Sequence, residues 1–294
     1  MTPDRQGYAD SLGLSSASLP LLRDVIHDRL GLFYDDSRLG MIADRLAPLV
    51  IERGFGSFLD YFYLLKYDDS AAAGEWTRVM DALSVPESYF WREIDQVQAI
   101  ARHVVPELQR THPYMPLRIW SVPCAGGEEP LTIAMVLEEA GLFDRGLITI
   151  HASDASPAAI ERARAGRYRE RAFRSLPVQL REKYFRADGD ARVPTPSLRA
   201  RVTSYSVVNL LSADDVSART RAPIIFCRNV FIYFSAGAVQ RVVAQFERET
   251  PTPAYLCLGA SESLLKTASR FDLEEIGGAF VYVKRGCDAG TEGA

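Results

Sequence analysis

The first third of the chain has the periodicity of amphipathic helices. From Ser18 to Leu83 apolar residues recur every three to four positions, and Gly31 and Gly54 each follow a helical stretch, as C-terminal glycines often do. Acidic residues precede the second stretch, where they favour a helix N-terminus. Because the stretches are short, we expect four helices that pack as a small bundle and not as a coiled coil.

The middle of the chain changes to a pattern of strand, turn and helix. An apolar run at residues 117–122 predicts a strand, and a glycine-containing loop follows it. Pro130 then suits the first turn of a helix. Residues 147–153 predict a second strand with Asp154 at its tip and another helix behind it. The pattern is that of a βαβ unit with a ligand-binding loop.

The remainder of the chain continues the alternation of strands and helices. The turn cluster at residues 188–190 lies in an excursion that predicts a small β-rich insertion over about 176–205. Beyond it the pattern predicts a strand, a helix, a strand, a short helix and an antiparallel pair: residues 223–228, 235–249, 254–259, 261–267 and 271–285. The expected fold class is α/β, with an N-terminal helical bundle and a Rossmann-like sheet that carries a small inserted antiparallel β subdomain.

A break in the helical pattern predicts where the domains divide. Residues 84–92 interrupt the pattern, and Glu93 to Thr111 resume it as a long helix in which Pro106 predicts a kink. We expect a flexible lead-in at 1–17, a helical domain with its linker at 18–92, the α/β domain at 93–286 and a disordered tail at 287–294.

Composition excludes several classes of protein. The 294 residues are 47% hydrophobic and 24% charged, which is ordinary for a globular chain. A net charge of −4 argues against a nucleic-acid partner. No apolar run reaches the ~18 residues of a membrane span, and the N-terminus lacks a secretory core. Four scattered cysteines without a CxxC pair predict reduced thiols in a cytoplasmic protein, with no metal site.

The loop after the first predicted strand offers acidic side chains, whereas a dinucleotide-binding loop offers backbone amides. It lacks GxGxxG, and Glu128 and Glu129 directly follow the glycine pair. Asp154 suits the hydroxyls of a ribose, because a carboxylate can accept both hydrogen bonds. This chemistry favours a cationic nucleoside such as S-adenosylmethionine (SAM) over a diphosphate. The alternative is a pair of ordinary turn glycines, since a glycine pair alone is weak evidence.

Three arginines fall on one face of the second predicted helix. Arg38, Arg45 and Arg53 are separated by seven and eight residues. This spacing predicts a basic strip that contacts an acidic partner. The alternative is a solvated helix face whose arginines pair with their own acidic neighbours, Asp44 and Glu52, because charged helix faces are common.

Several blocks of the sequence resemble the chemotaxis receptor methyltransferase (CheR) family. They occur in the family's order, after SYFWRE: RIWSVPCAGGEEPLTIAM, IHASDASPAAIERARAGRYRE, VVNLL, IIFCRNVFIYF and GASESL. The resemblance implies a helical N-terminal domain and a class I SAM methyltransferase sheet with the small β subdomain inserted in it. It also implies methylation of glutamate γ-carboxylates on the cytoplasmic helices of a methyl-accepting chemoreceptor, with S-adenosyl-L-homocysteine (SAH) as the product.

The resemblance assigns residues to the site. The implied cofactor-binding residues are Pro86, Ser88, Arg92, Ala125, Gly126, Glu129, Asp154, Asn209, Leu210, Cys227, Arg228 and Asn229. Arg92 and Tyr233 would guide the substrate carboxylate, which is ionised at neutral pH and needs no general base. Arg38, Arg45 and Arg53 would bind the substrate. The alternatives are a salt bridge from Arg92 to Glu93 or Glu129, and a core position for Tyr233.

Some positions depart from the family's pattern. Pro86 stands where many members carry Asn, Ser88 where many carry Thr, Trp91 where Phe is common, and Ala260 where His is common. The segment 185–202 is shorter than in members whose β subdomain docks a pentapeptide at the receptor C-terminus, so the resemblance implies a form that needs no such tether. We also expect a monomer. Two alternatives stay open: a catalytically weak SAM-binding, receptor-docking module, and a methyltransferase for another substrate such as a small acid.

Overall fold

The computed structural model describes residues 14–85, 87–217, 219 and 221–286. Pro86, residues 1–13 of the expected lead-in and the expected tail at 287–294 lie outside the described residues. The chain divides into two compact units, one of residues up to 85 together with 233–238, the other of residues from 86 to 232 together with those from 239 on. Leu14 is buried and Ser16–Ser18 form a 3-10 turn, so the end of the expected flexible lead-in is ordered.

The first unit contains the four predicted helices. They are α1 (Leu19–Leu30), α2 (Leu39–Glu52), α3 (Phe58–Tyr67) and α4 (Asp69–Leu83). Their apolar faces meet in a core that includes Leu22, Ile26, Ile42, Leu46 and Phe58, all fully buried. Gly31 ends α1 in the left-handed conformation that glycine adopts without strain. The prediction of a small helical bundle is confirmed.

The long helix predicted from Glu93 to Thr111 is interrupted. It consists of α5 (Ile94–Ala99), a π-helical turn (Ile100–Val104) and α6 (Val105–Thr111). Pro106 lies in the first turn of α6, and it has no N–H to donate to the preceding π-helical turn. The wider π-helical turn accommodates the proline ring, so the expected kink takes the form of a local change of helix type.

A seven-stranded sheet forms the centre of the second unit, with strand order β5-β2-β1-β6-β7-β9-β8. The first five strands in this order are parallel, and β9 and β8 are antiparallel. The strands of the unit are β1 (Leu117–Ser121), β2 (Ile148–Asp154), β3 (Phe185–Asp188), β4 (Ala191–Pro194), β5 (Val202–Val207), β6 (Ile224–Phe226), β7 (Ala254–Cys257), β8 (Asp272–Ile276) and β9 (Ala279–Lys284). The predicted α/β class is confirmed.

Helices connect the strands and cover the sheet. They are α7 (Glu128–Glu139), α8 (Pro157–Ala165), α9 (Val178–Tyr184), α10 (Pro196–Ala200), α11 (Ala213–Ser217) and α12 (Ala236–Glu249). Seven consecutive residues of α7, from Leu131 to Leu137, are buried, as expected for a helix enclosed on all sides. Because β1 lies between β2 and β6, the strand order reverses there. In open parallel sheets, ligands bind at the carboxyl ends of the strands beside such a point.

Two smaller features complete the second unit. β3 and β4 pair as a separate two-stranded antiparallel sheet, which is the predicted β insertion. The predicted short helix at 261–267 is wrong, because these residues form turns. There the Tyr282 hydroxyl accepts a hydrogen bond from the Leu264 N–H, which a helix would have bonded to its own backbone. Among the described residues, no helix combines the length and the apolar character that crossing a bilayer requires.

Candidate active site

A cleft at the carboxyl edge of the sheet collects residues from three parts of the second unit. The segment before α5, the loop after β1 with the start of α7, and the loop after β6 all line it. Six of the residues assigned by resemblance are among its lining: Ser88, Arg92, Ala125, Glu129, Arg228 and Asn229. They are spread over more than 140 positions of the sequence. The topology therefore brings them together as the reversal of strand order predicts.

The loop after β1 is held tightly against its surroundings. The Gly127 N–H donates to the Cys124 carbonyl oxygen (2.9 Å), and the Tyr168 hydroxyl donates to the Gly126 carbonyl oxygen (2.8 Å). Gly127 has φ of +94° and is the N-cap of α7. A Cβ atom added there would lie 2.9 Å from the Tyr168 hydroxyl and 3.2 Å from the Ala163 Cβ. Only glycine fits this position.

Asp154, at the tip of β2, joins this loop to the next helix. Its Oδ2 accepts a hydrogen bond from the Ala125 N–H and its Oδ1 accepts one from the Ser156 N–H, each at 2.9 Å. The side chain is buried. These contacts fix the orientation of the carboxylate at the strand end where a ribose is expected.

Asn209 and Leu210 lie in the loop after β5, beside the tip of β2. The Val208 N–H donates to the Asp154 carbonyl oxygen (2.9 Å), which fixes this loop against Asp154. The Asn209 Oδ1 accepts a hydrogen bond from the Leu211 N–H (3.0 Å), and Leu210 is buried. The structure thus brings Asn209 and Leu210 next to Asp154, and their contact with an adenine stays a prediction.

Arg228 forms the buried ion pair of the site. Its Nε lies 2.8 Å from the Glu129 Oε2, and its side chain is 3% exposed. Its two terminal nitrogens donate to the carbonyl oxygens of Glu93 (2.9 Å) and Arg92 (2.7 Å). The Ser121 hydroxyl donates to the other Glu129 oxygen (2.7 Å). Arg228 therefore holds both Glu129 and the segment at 92–93 in place at the cleft.

Two buried carboxyl groups lie in and beside the cleft, whose lining also contains Arg92 and Arg228. Burial raises the pKa of the Glu129 carboxyl, although the neighbouring Arg228 and Ser121 oppose this shift. Burial likewise raises the pKa of Glu128, and one Glu128 carboxylate oxygen has no hydrogen-bond partner among the described residues. Glu128 was not assigned to the site from the sequence. Its position directly after the glycine pair was the available signal.

Arg92 lines the cleft with its guanidinium partly engaged. One terminal nitrogen donates to the Glu87 carbonyl oxygen (3.2 Å), and Nε lies 3.7 Å from the Glu93 Oε1. Of the two salt bridges considered for Arg92 from the sequence, the weak one to Glu93 is present, whereas Glu129 pairs with Arg228. The guiding role of Arg92 stays a prediction.

Four non-glycine residues around the cleft have left-handed backbones. They are Trp91, Glu93, Ala125 and Asn229, with φ of 70°, 46°, 47° and 60°. Each such residue costs on the order of 1–3 kcal/mol, and such strain concentrates at functional sites. The strain is sustained here because the residues are tied down, as the Arg228 contact with the Glu93 carbonyl shows. No sequence pattern indicates these left-handed backbone conformations.

Six assigned residues do not line this cleft among the described residues: Gly126, Asp154, Asn209 and Leu210, placed above, and Cys227 and Tyr233. The Cys227 side chain is fully buried and is not part of the cleft lining among the described residues, so a contact of Cys227 with the cofactor stays a prediction. Its N–H donates to the Cys257 carbonyl oxygen, and burial raises the pKa of its thiol. Tyr233 belongs to the first unit and packs against that unit's core. A place for Tyr233 beside the reacting methyl group stays a prediction.

Two of the three arginines of the predicted basic strip donate hydrogen bonds within the first unit. The Arg53 Nε donates to the fully buried Glu75 (2.7 Å). Arg45 donates to the carbonyl oxygen of Leu83 (3.0 Å) at the end of α4. Arg38 is exposed. The side chains of Arg45 and Arg53 thus link the second helix to α4, and a contact of the three arginines with the substrate stays a prediction.

Comparison with known protein families matches almost the whole described chain. The family described as "CheR methyltransferase, SAM binding domain" matches residues 86–279. The family described as "CheR methyltransferase, all-alpha domain" matches residues 17–84. The boundary between these matches falls in the predicted linker.

Two chemotaxis protein methyltransferases are similar to most of the chain. "Chemotaxis protein methyltransferase 2" of Vibrio cholerae is 31% identical over 89% of this chain and 91% of its own length. "Chemotaxis protein methyltransferase 1" of Pseudomonas aeruginosa is 27% identical over 92% of this chain and 99% of its own length. A solved O-methyltransferase family protein from Burkholderia thailandensis is 12% identical, covers 95% of this chain and 87% of its own, and has a TM-score of 0.37. On the two family matches and the 31% identity to the Vibrio cholerae protein, the chain belongs to the CheR methyltransferase family.

Proposed function

We propose that this chain transfers the methyl group of SAM to glutamate γ-carboxylates on the cytoplasmic helices of a chemoreceptor. Membership of the CheR family makes it a SAM-dependent methyltransferase. The observation that carries the proposal is the meeting of six assigned residues in one cleft of the matched SAM-binding domain. The chemoreceptor substrate is inferred from the names of the two chemotaxis protein methyltransferases to which the chain is similar.

The carboxylates in and beside the cleft fit a cationic cofactor. Glu129 and Asp154 are both held in fixed orientations, and the partnerless Glu128 oxygen is buried beside the Gly126 backbone. A carboxylate offers about four acceptor positions, which is enough for backbone donors and the two hydroxyls of a ribose. These carboxylates attract a sulfonium and an ammonium group, although Arg228 already pairs with Glu129. We therefore assign the amino-acid end of SAM to Glu129 and its ribose to Asp154.

The reaction needs alignment more than proton transfer. When bound, SAM supplies an electrophilic methyl group. A substrate glutamate has an ordinary pKa of about 4.3, so it is already a nucleophile near neutral pH. The protein must hold the carboxylate in line and exclude water. Arg92 at the cleft is the candidate guide, since a guanidinium binds a carboxylate with two hydrogen bonds, and Tyr233 is the second candidate.

The remaining proposals concern the partner. The inserted sheet has only the two strands β3 and β4, which supports docking without a pentapeptide tether. Exposed Arg38 remains a candidate contact to an acidic receptor surface. We further propose a cytoplasmic monomer, in keeping with the cytoplasmic helices that it would methylate.

The proposed activity is tested with tritiated SAM and soluble receptor fragments. We expect alkali-labile label on a helical fragment with or without its C-terminal pentapeptide, and none on a matched fragment whose candidate glutamates are replaced by alanine. Label that depends on the pentapeptide would overturn the tether proposal alone. Binding of SAM with no label on any cognate receptor would favour a docking module without catalysis.

The affinity for SAM should fall on acidification, and the fall should begin at a pH above the ordinary pKa of a glutamate. Burial raises the pKa of Glu129, so its carboxylate takes up a proton at a higher pH than an exposed glutamate would. The anion attracts the cofactor's ammonium group, so affinity is complete above the raised pKa and is lost as the pH falls through it. Calorimetric titration from neutral pH downward measures this loss.

Substitutions show which of the two carboxyl groups, Glu128 or Glu129, causes the pH dependence. Glu129→Gln should bind SAM weakly at neutral pH and show a flatter profile, whereas Glu128→Gln should keep the acid loss if Glu129 is the titrating group. A wild-type affinity that stays constant down to the ordinary glutamate range would contradict the assignment of Glu129.

A further inference from the structure

The carboxylate of Glu262 accepts hydrogen bonds from the backbone N–H groups of two loops next to the cleft. Its Oε2 accepts hydrogen bonds from the N–H groups of Asn229 (2.8 Å) and Gly259 (2.7 Å). Its Oε1 accepts from Phe231 (2.6 Å) and Ile232 (3.3 Å). Hydrogen bonds to an ionised acceptor are roughly twice as strong as neutral ones. One side chain thus holds the loop after β6 to the loop after β7.

Asn229 is the residue that this arrangement constrains most. Its backbone is left-handed, with φ of +60°, and its N–H is bonded to Glu262. Its side-chain Nδ2 donates to the Glu93 Oε1 (3.3 Å). Since a carboxylate only accepts hydrogen bonds, this contact fixes which side of the amide faces Glu93. Asn229 is therefore held from two sides where it lines the cleft.

The lack of a side chain at Gly259 is a second observation, and it is steric. A Cβ atom at this position would lie 2.4 Å from the Asn229 Nδ2 and 2.9 Å from the Glu262 Oε2. Both distances are shorter than any normal contact with a Cβ atom. The side chain of Asn229 can take its observed place only because residue 259 has none.

We propose that Glu262 is a positioning residue, which holds Asn229 in the conformation that contacts the cofactor, while Gly259 provides the room. The Glu262 side chain is half-buried and does not line the cleft, so it acts through Asn229. The inference rests on the proposed function, which assigns SAM to the cleft that Asn229 lines. The sequence shows Glu262 within the block GASESL but gives it no role.

The test is a double-mutant cycle on SAM affinity, measured by calorimetry on the full chain. Glu262→Gln keeps the size of the side chain but places an NH₂ group against two of its N–H partners. We expect Glu262→Gln and Asn229→Ala each to weaken binding about tenfold or more, and the double variant to be within about twofold of the weaker single variant. Two independent structural losses would instead multiply, which would overturn the inference.

Hydrogen exchange gives a readout that does not depend on the cofactor. In Glu262→Gln without SAM, the amides of Asn229, Phe231 and Gly259 should exchange faster than in the wild type. Glu247→Gln is the matched control, because Glu247 also accepts a backbone N–H, that of Arg270 (2.6 Å), within the same unit. This control should leave SAM affinity and the three amides unchanged, and a control that behaves like Glu262→Gln would overturn the inference.

A second variant keeps the inference testable if Glu262→Gln does not fold. Gly259→Ala should weaken SAM binding by a similar factor and should also be non-additive with Asn229→Ala. If the wild type binds SAM and neither variant changes its affinity, the positioning role is overturned and the proposed function stands. If the wild type does not bind SAM, both are overturned.

Discussion

Asp154→Asn should weaken SAM binding by at least about a hundredfold. Asparagine offers one oxygen, so the N–H of Ala125 or Ser156 would face an NH₂ group in place of an acceptor. The two hydrogen bonds expected from the ribose would also lose their charged acceptor. Hydrogen bonds to charged groups are worth about 1.5–3 kcal/mol each, and two of them correspond to a hundredfold or more in affinity. Calorimetry with SAH measures this loss.

The control for Asp154→Asn is an aspartate at a strand end away from the cleft. Asp272 begins β8 and is exposed, so Asp272→Asn should bind SAH like the wild type. An Asp154→Asn affinity within about threefold of the wild type, less than 1 kcal/mol, would contradict the assigned role of Asp154.

Arg228→Met should destabilise the second unit by about 3–5 kcal/mol and abolish SAM binding. The substitution leaves the Glu129 carboxylate nearly buried without its cation, and it removes the donors to the Arg92 and Glu93 carbonyls. The free energy of unfolding is measured with urea and tryptophan fluorescence. Trp91 and Trp120 lie in the same unit as Arg228 and report on its unfolding.

Two further variants separate the ion pair from a general loss of packing. Arg285→Met breaks the exposed pair with Glu274 (2.6 Å) and should cost at most about 1 kcal/mol. In a Glu129→Gln background, Arg228→Met should cost less than it does in the wild type, because no charge is then left unpaired. Equal costs in both backgrounds would show that the ion pair does not govern this stability.

The elements of the fold could be predicted because their signals are local. Helix periodicity, Gly31 after α1 and the alternation of strands and helices each depend on residues close in sequence. The same holds for the loop at 123–127, whose glycines directly precede the carboxylates of Glu128 and Glu129. The segment at 261–267 has a helical composition, but distant groups such as the Tyr282 hydroxyl take up its backbone hydrogen bonds. Local reasoning therefore predicted a helix that does not form.

The interior of the site could not be predicted because its contacts join distant residues. Glu129 and Arg228 are 99 positions apart, and nothing in either segment indicates that they pair. The partners of the arginines in and beside α2 could not be predicted for the same reason. Spacing placed Arg53 on a helix face, but its partner Glu75 lies 22 positions away in another helix. Residue spacing thus predicts which residues share a face and not which residues they bind.

The most direct test of a SAM site at this edge of the sheet is a crystal structure of the chain with SAH. We expect the ribose at the Asp154 carboxylate and the amino-acid end of SAH beside Glu129. An SAH molecule bound at another surface, with the edge between these two carboxylates empty, would contradict the assignment.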